Sequence, residues 1–157
     1  MTFNPHDHKP AATFDEEMKA EPPAESKSQG QFVMALYSDA QKQQLVGYLG
    51  TNQVWLNYAE VAPRERALKI EQFQYNAVTL YRNLDRFQTW RYLSVSTFAY
   101  VGWYLWNGAT AWSLEPNGRF ASLWNGQNLS VTDYKNPGQY LYAWNAYQQL
   151  YVKPEPV

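Results

Sequence analysis

The feature that most constrains this chain is a stretch of 23 residues, Tyr92 to Leu114, without a single charged side chain. It reads YLSVSTFAYVGWYLWNGATAWSL and is close to the ~20 residues with which an α-helix crosses a bilayer. Arg82, Arg86 and Arg91 precede it, and Glu115 follows it. We therefore predict one membrane-spanning segment at 92–114. The alternative is that these residues form the buried aromatic centre of a globular helical domain.

A helical pattern leads into this stretch. Apolar residues recur at alternating spacings of 3 and 4, the period of one helix face, at Ile70, Phe73, Ala77, Leu80, Leu84 and Phe87. Pro63 suits the first position of a helix, and no proline or paired glycine interrupts the chain between Pro63 and Pro116. The sequence therefore predicts a mainly α fold with a long helix over about 63–114.

Composition divides the chain into four parts. Residues 1–30 are rich in Pro, Ala, Glu and Lys and can bury little apolar surface, which predicts a disordered arm. Residues 31–91 form a helical region, 92–114 the charge-free segment, and 115–157 an aromatic-rich C-terminal region.

The C-terminal region combines turn signals with an aromatic pattern. RFASLW and LSVTDY flank the turn sequence NGQN, which predicts a hairpin. Tyr140, Trp144, Tyr147 and Tyr151 recur at spacings of 4, 3 and 4, which predicts an amphipathic aromatic helix ending before Pro154. Leu-Trp-Asn-Gly occurs at 105–108 and 123–126, but two copies without matching surroundings predict no repeat architecture.

The residue types argue against catalysis. Both histidines, His6 and His8, lie in the arm, so the remaining chain has no imidazole for a catalytic triad or a histidine metal site. The chain has no cysteine and no glycine-rich phosphate loop of standard form. We therefore predict a protein that is not an enzyme and holds no metal or cofactor.

Aromatic residues are the compositional outlier: there are 7 Trp, 13 Tyr and 7 Phe in 157 residues. Trp and Tyr join a large apolar body to a polar tip and are enriched at interfaces. We predict an interaction role for eight of them, namely Trp103, Trp106, Trp112, Trp124, Tyr140, Trp144, Tyr147 and Tyr151. The net charge of −1 gives no basic excess for binding nucleic acid.

These observations favour a non-catalytic accessory or scaffolding subunit of a multi-subunit membrane complex, of the kind common in energy-converting assemblies. Its partners would be other protein subunits and the lipid bilayer. The basic excess before residue 92 would place the N-terminal side in the cytoplasm, matrix or stroma. Two alternatives remain open. One is a soluble structural protein of a virion or other large assembly, and the other is an aromatic-lined module for carbohydrate or a hydrophobic small ligand.

Overall fold

A computed structural model describes residues 27–75, 77–85, 91–136 and 138–157. Within these ranges the protein is built almost entirely from β-strands, with two short 3₁₀ helices at Arg64–Arg66 and Trp106–Gly108. The predicted arm, with His6 and His8, lies outside the described residues except for its last four, which belong to the first strand.

The strands fall into three consecutive units. The first unit holds β1 (Lys27–Tyr37), β2 (Leu45–Thr51), β3 (Ala59–Ala62) and β4 (Ile70–Tyr75). The second holds β5 (Val78–Asn83), β6 (Tyr92–Val95), β7 (Val101–Tyr104) and β8 (Trp112–Leu114). The third holds β9 (Phe120–Ser122), β10 (Leu129–Val131), β11 (Tyr142–Ala143), and then β12 (Gln148–Gln149) and β13 (Tyr151–Glu155), which together replace a single fourth strand.

Strand pairing repeats from unit to unit. The second and third strands of each unit pair antiparallel, as β2–β3, β6–β7 and β10–β11. The last strand of one unit pairs with the first strand of the next, as β4–β5 and β8–β9, and β13 pairs with β1 to complete the cycle. Three four-stranded units arranged in this way around a pseudo-threefold axis have the connectivity of a β-trefoil.

Backbone hydrogen bonds near the axis show the threefold relation directly. An amide in the third strand of each unit donates to a carbonyl just before the third strand of another unit. The bonds run from Val61 to Gln139, from Trp103 to Asn57 and from Ala143 to Ala99, with N···O distances of 3.0, 2.8 and 2.8 Å. Each unit thus donates to one neighbour and accepts from the other, which nearly closes the sheet.

The main core contains the largest buried rings. Trp112 stacks on Phe120, with ring centroids 4.7 Å apart and planes at 9°. Trp112 Nε1 donates to the carbonyl of Leu93 at 3.2 Å, so its one polar group is also satisfied. Trp103 and Tyr81 are buried in the same cluster.

The predicted mainly α fold and its helix over 63–114 are wrong. Ile70 belongs to the main core, whereas Phe73, three residues along β4, packs in a second cluster with Leu80 and Tyr92. Because both faces of these strands are covered, apolar residues do not alternate strictly with polar ones. The resulting spacing imitates the period of a helix.

The charge-free stretch forms β6, β7 and β8. It carries no charge because most of it is buried between elements: Leu93, Val95 and Val101 face the main core, and Tyr92 packs in the second cluster. In the part of the chain that the structure describes, no helix has the length and apolar character needed to cross a bilayer. The predicted single-pass segment, the membrane localisation and the orientation derived from it are therefore wrong.

The predicted C-terminal aromatic helix is also wrong. Around β11, Tyr140 and Tyr142 alternate with the buried residues Leu141 and Ala143, which is the period of a strand. The segments on either side of NGQN do form the strands β9 and β10, but β9 forms its ladder with β8, and β10 forms ladders with β11 and β12. The predicted hairpin is thus reduced to one isolated antiparallel bridge between Ala121 and Asn128.

The true internal repeat is not the Leu-Trp-Asn-Gly pattern. One copy lies between the third and fourth strands of its unit, and the other between the first and second strands. The structural repeat is marked by the second strands, whose segments read YLGT at 48–51, YLSV at 92–95 and NLSV at 128–131.

Candidate binding site

The structure separates the eight aromatic residues that the sequence singled out. Trp103 and Trp112 are buried in the core. Trp106 is partly buried in the second cluster, with its ring centroid 5.1 Å from that of Tyr75. Tyr151 is half-buried in β13. The remaining four all belong to the third unit: Trp124, Tyr140, Trp144 and Tyr147.

Three loops bring exposed aromatic side chains together. Phe98, Trp124, Trp144 and Tyr147 are 52%, 45%, 44% and 40% exposed, and we call these four residues the aromatic patch. Their loops meet at Ala143, whose N–H donates to the carbonyl of Ala99 at 2.8 Å and whose carbonyl accepts from Asn125 Nδ2 at 3.1 Å. Phe98, Trp124 and Trp144 each adjoin one of these three linked residues, so their side chains start from neighbouring backbone.

A row of tyrosines connects the patch to the pseudo-threefold axis. Tyr58, Tyr100 and Tyr140 occupy equivalent positions in the three units, and their ring centroids are 4.9 to 5.9 Å apart. Tyr142 links them to the patch, with its ring 4.6 Å from Tyr100 and 5.0 Å from Tyr147. Tilted and edge-to-face contacts of this kind contribute about 0.5–1.5 kcal/mol each beyond the burial of area. Through Tyr142 the row thus packs against Tyr147, a member of the patch.

The tyrosine hydroxyls beside the patch remain protonated at neutral pH. Burial, together with a hydrogen bond to Tyr100, raises the pKa of Tyr142 well above its usual 10. Burial, and then the charge of Glu60, raises the pKa of Tyr140. Both side chains can therefore donate as well as accept a hydrogen bond.

One carboxylate lies next to the tyrosine row. Glu60 accepts a hydrogen bond from Asn52 Nδ2 at 3.1 Å, and its other oxygen lies 3.8 Å from Arg66 Nη1. Burial raises the pKa of Glu60 above its usual 4.5, while the Asn52 hydrogen bond and the Arg66 charge act in the opposite direction. Both carboxylate oxygens of Glu60 thus have a partner within the protein.

Two amide side chains beside the patch have a fixed orientation. The N–H of Asn145 donates to Gln127 Oε1 at 2.9 Å, and the N–H of Asn128 donates to Asn145 Oδ1 at 2.8 Å. Because a backbone N–H can only donate, the amide oxygens must occupy the inner positions. Within the described ranges, Gln127 Nε2 and Asn145 Nδ2 make no hydrogen bond, so two donors remain for a ligand.

The loop that carries Trp144 and Tyr147 is held from inside. Gln149 Nε2 donates to the carbonyls of Trp144, Asn145 and Tyr147 at 3.3, 3.0 and 3.0 Å. Gln149 Oε1 in turn accepts from the buried Asn128 at 2.9 Å. A loop ordered in this way loses little conformational entropy when a ligand binds.

Sequence reasoning missed Phe98, Tyr58, Tyr100 and Tyr142, and it missed the amides. The amides had a local signal, because Trp-Asn is followed within a few residues by Gln in both WNGQN and WNAYQQ. Phe98 had none, since its loop belongs to another unit and meets the patch only through the tertiary fold.

The described residues contain no cluster of three or more His, Asp or Glu side chains placed to hold a metal ion. Comparisons of the chain with protein-family models, with curated proteins and with solved structures find no match. A function for the aromatic patch must therefore be argued from the contacts within this chain.

Proposed function

We propose that the protein is a non-catalytic binding module that recognises a neutral carbohydrate on the aromatic patch. The observation that carries this proposal is that four exposed rings share their loops with two amide side chains, whose oxygens accept from backbone N–H groups and whose nitrogens make no hydrogen bond within the described ranges.

The chemistry of a sugar matches both parts of the patch. The C–H groups on a sugar ring carry a small positive charge and pack against the electron-rich faces of Trp and Tyr. The hydroxyl oxygens around the ring can accept hydrogen bonds from Gln127 Nε2 and Asn145 Nδ2. An apolar ligand would leave these two amides without partners, which favours a ligand with hydroxyl groups.

The charge distribution favours an uncharged ligand over nucleic acid. Bases of single strands also stack on aromatic side chains, but their phosphates require a basic groove. Residues 92–151 contain only two basic side chains, Arg119 and Lys135.

The test is glycan binding by the full chain, on an array of neutral oligosaccharides and on cellulose, chitin and starch, followed by calorimetry. Trp144→Ala removes one stacking surface and should weaken binding about tenfold, since 1.4 kcal/mol corresponds to that factor. Asn145→Asp keeps the oxygen that accepts from Asn128 but loses the donors, so it should weaken binding without lowering the melting temperature.

Trp55→Ala is the matched control, because Trp55 is 60% exposed and lies outside the patch. This variant should bind like the wild type. Failure of the wild-type chain to bind any neutral glycan, or unchanged affinity in Trp144→Ala, would contradict the proposal.

A second candidate function is that of a structural subunit in a larger assembly, one of the two alternatives that the sequence left open. It is favoured by the loop Val54–Leu56, whose side chains are 77%, 60% and 44% exposed. Asn52 Oδ1 accepts from the amides of Val54 and Trp55 at 3.0 and 2.7 Å, so the loop has a defined shape.

If the loop joins copies of this chain, the mass measured in solution should exceed that of one chain, and it should be lower in Trp55→Ala. A wild-type chain that stays monomeric at all concentrations would remove this form of assembly.

A further inference from the structure

The sheet is open at the seam between β5 and β8, the first and fourth strands of the second unit. In the first unit, β1 and β4 form an antiparallel ladder. In the third unit, Arg119 bridges Tyr151, and Val152 N–H donates to the carbonyl of Gly118 at 2.8 Å. Among the strands that the structure describes, β5 pairs with β4 and β6, and β8 pairs with β9. β5 and β8 therefore lie side by side without a ladder.

A cavity of about 400 Å³ occupies this seam. Its polar lining comes from Gln72, Thr79, Tyr81 and Ser113, and Trp112 and Leu114 contribute apolar wall. The volume lies in the range of small-molecule sites, about 300–1,000 Å³. None of the side chains that line it is charged.

Tyr81 gives the cavity a hydroxyl group without a protein partner. Its side chain is 1% exposed, and within the described part of the chain its hydroxyl makes no hydrogen bond. Its ring packs edge-on against Phe120, with centroids 5.1 Å apart, which fixes its position. The hydroxyl is therefore available to a ligand, and a hydrogen bond to it would add to the ligand's affinity.

We propose that this cavity binds a small uncharged polyhydroxy molecule of the size of a neutral monosaccharide. Tyr81, Thr79 and Ser113 pair with its hydroxyl groups, and the Trp112 and Leu114 side chains pack against its C–H groups. A charged ligand would enter without a counter-charge and would lose its hydration uncompensated. The cavity site lies apart from the aromatic patch and does not rest on the carbohydrate function proposed for that patch.

The experiment uses the full chain and four probes: glucose, galactose, mannose and N-acetylglucosamine. Binding is detected by saturation-transfer NMR and quantified by titration. We expect at least one probe to bind the wild type with a roughly millimolar dissociation constant. Tyr81→Phe removes only the hydroxyl and should weaken that binding about tenfold. Ser113→Leu places a larger apolar side chain at the lining and should abolish it.

Two controls separate the cavity from the patch and from misfolding. Trp144→Ala should leave monosaccharide binding by the cavity unchanged. The melting temperature of Tyr81→Phe should equal or exceed that of the wild type, because the hydroxyl it removes has no protein partner. Three results would overturn the proposal: no probe binding to the wild type, equal affinity in Tyr81→Phe, or binding that Trp144→Ala removes and Tyr81→Phe retains.

Discussion

Trp112 and Trp144 belong to neighbouring units but have opposite surroundings. Trp112 begins β8, stacks on Phe120 and satisfies its indole N–H inside the core. Trp144 follows β11 directly, where the strand ends and the chain turns outward, and it is 44% exposed. A tryptophan is thus buried in the core where it lies within a strand, and exposed to solvent where it follows the end of a strand. Aromatic content alone cannot distinguish these two uses, whereas position relative to the strand ends can.

The largest effect should come from truncating the core member of this pair. Trp112→Ala removes a stacked ring and leaves a cavity, which should cost about 3–5 kcal/mol of the free energy of unfolding. Chemical denaturation measures the loss. Trp144→Ala is the matched control and should change stability by about 0.5 kcal/mol or less. Similar losses in both variants would show that the two environments do not differ as described.

A smaller effect should come from Glu60, which lies beside the tyrosine row rather than in the main core. Its pKa in the folded state is raised, so the folded chain binds this proton more tightly than the unfolded chain does. Wild-type stability should therefore fall as pH rises through the window above 4.5. Glu60→Gln cannot titrate and keeps an oxygen for Asn52. In thermal unfolding, the melting temperature of the variant relative to that of the wild type should rise between pH 4 and pH 7. A difference in melting temperature that stays constant across that range would refute the assignment.

The smallest effect should come from the turn that carries Phe98. Ala99 has φ +70°, a left-handed conformation that costs an L-residue about 1–2 kcal/mol. Glycine removes this strain, but it also raises the conformational entropy of the unfolded chain, which lowers the free energy of unfolding by about 0.5–1 kcal/mol. Ala99→Gly should therefore stabilise slightly, by up to about 1 kcal/mol in denaturant titrations. Ala59→Gly, in a buried strand with ordinary φ, should instead destabilise, and the same sign for both variants would count against strain at Ala99.

The contrast between local and tertiary information explains how far the sequence could be interpreted. The turn at NGQN was predictable because its turn residues act on their own neighbours, whereas the ladder partners of β9 and β10 lie elsewhere in the chain. The strands of 63–114 were not, because both of their faces are covered by other units, and this cover removes the alternation that marks a strand. The lack of charge from Tyr92 to Leu114 indicated burial, but it did not indicate whether lipid or protein provided it.

The candidate site was predictable to a similar extent. Trp124, Trp144 and Tyr147 were singled out by their residue type. Phe98 was not, because tertiary contacts bring its loop to the patch, among them the hydrogen bond from Ala143 to Ala99 and the ring contact between Tyr100 and Tyr142. The cavity at the β5–β8 seam had no sequence signal, since it arises from a strand pairing that two units make and the second lacks.

β13 is the last of the described strands to leave the ribosome, and its partner β1 is the first. Val33 pairs with Glu155 and Tyr37 with Tyr151, so half of β1 lacks one of its neighbours until β13 has been synthesised. At about 5–20 residues per second, the interval between Tyr37 and Tyr151 lasts roughly 6 to 23 seconds, during which an apolar strand edge is open to other chains. The pairing that closes the threefold cycle therefore also makes the nascent chain vulnerable to aggregation. Deleting β13 should prevent the folding of all three units rather than remove one strand from an otherwise folded protein.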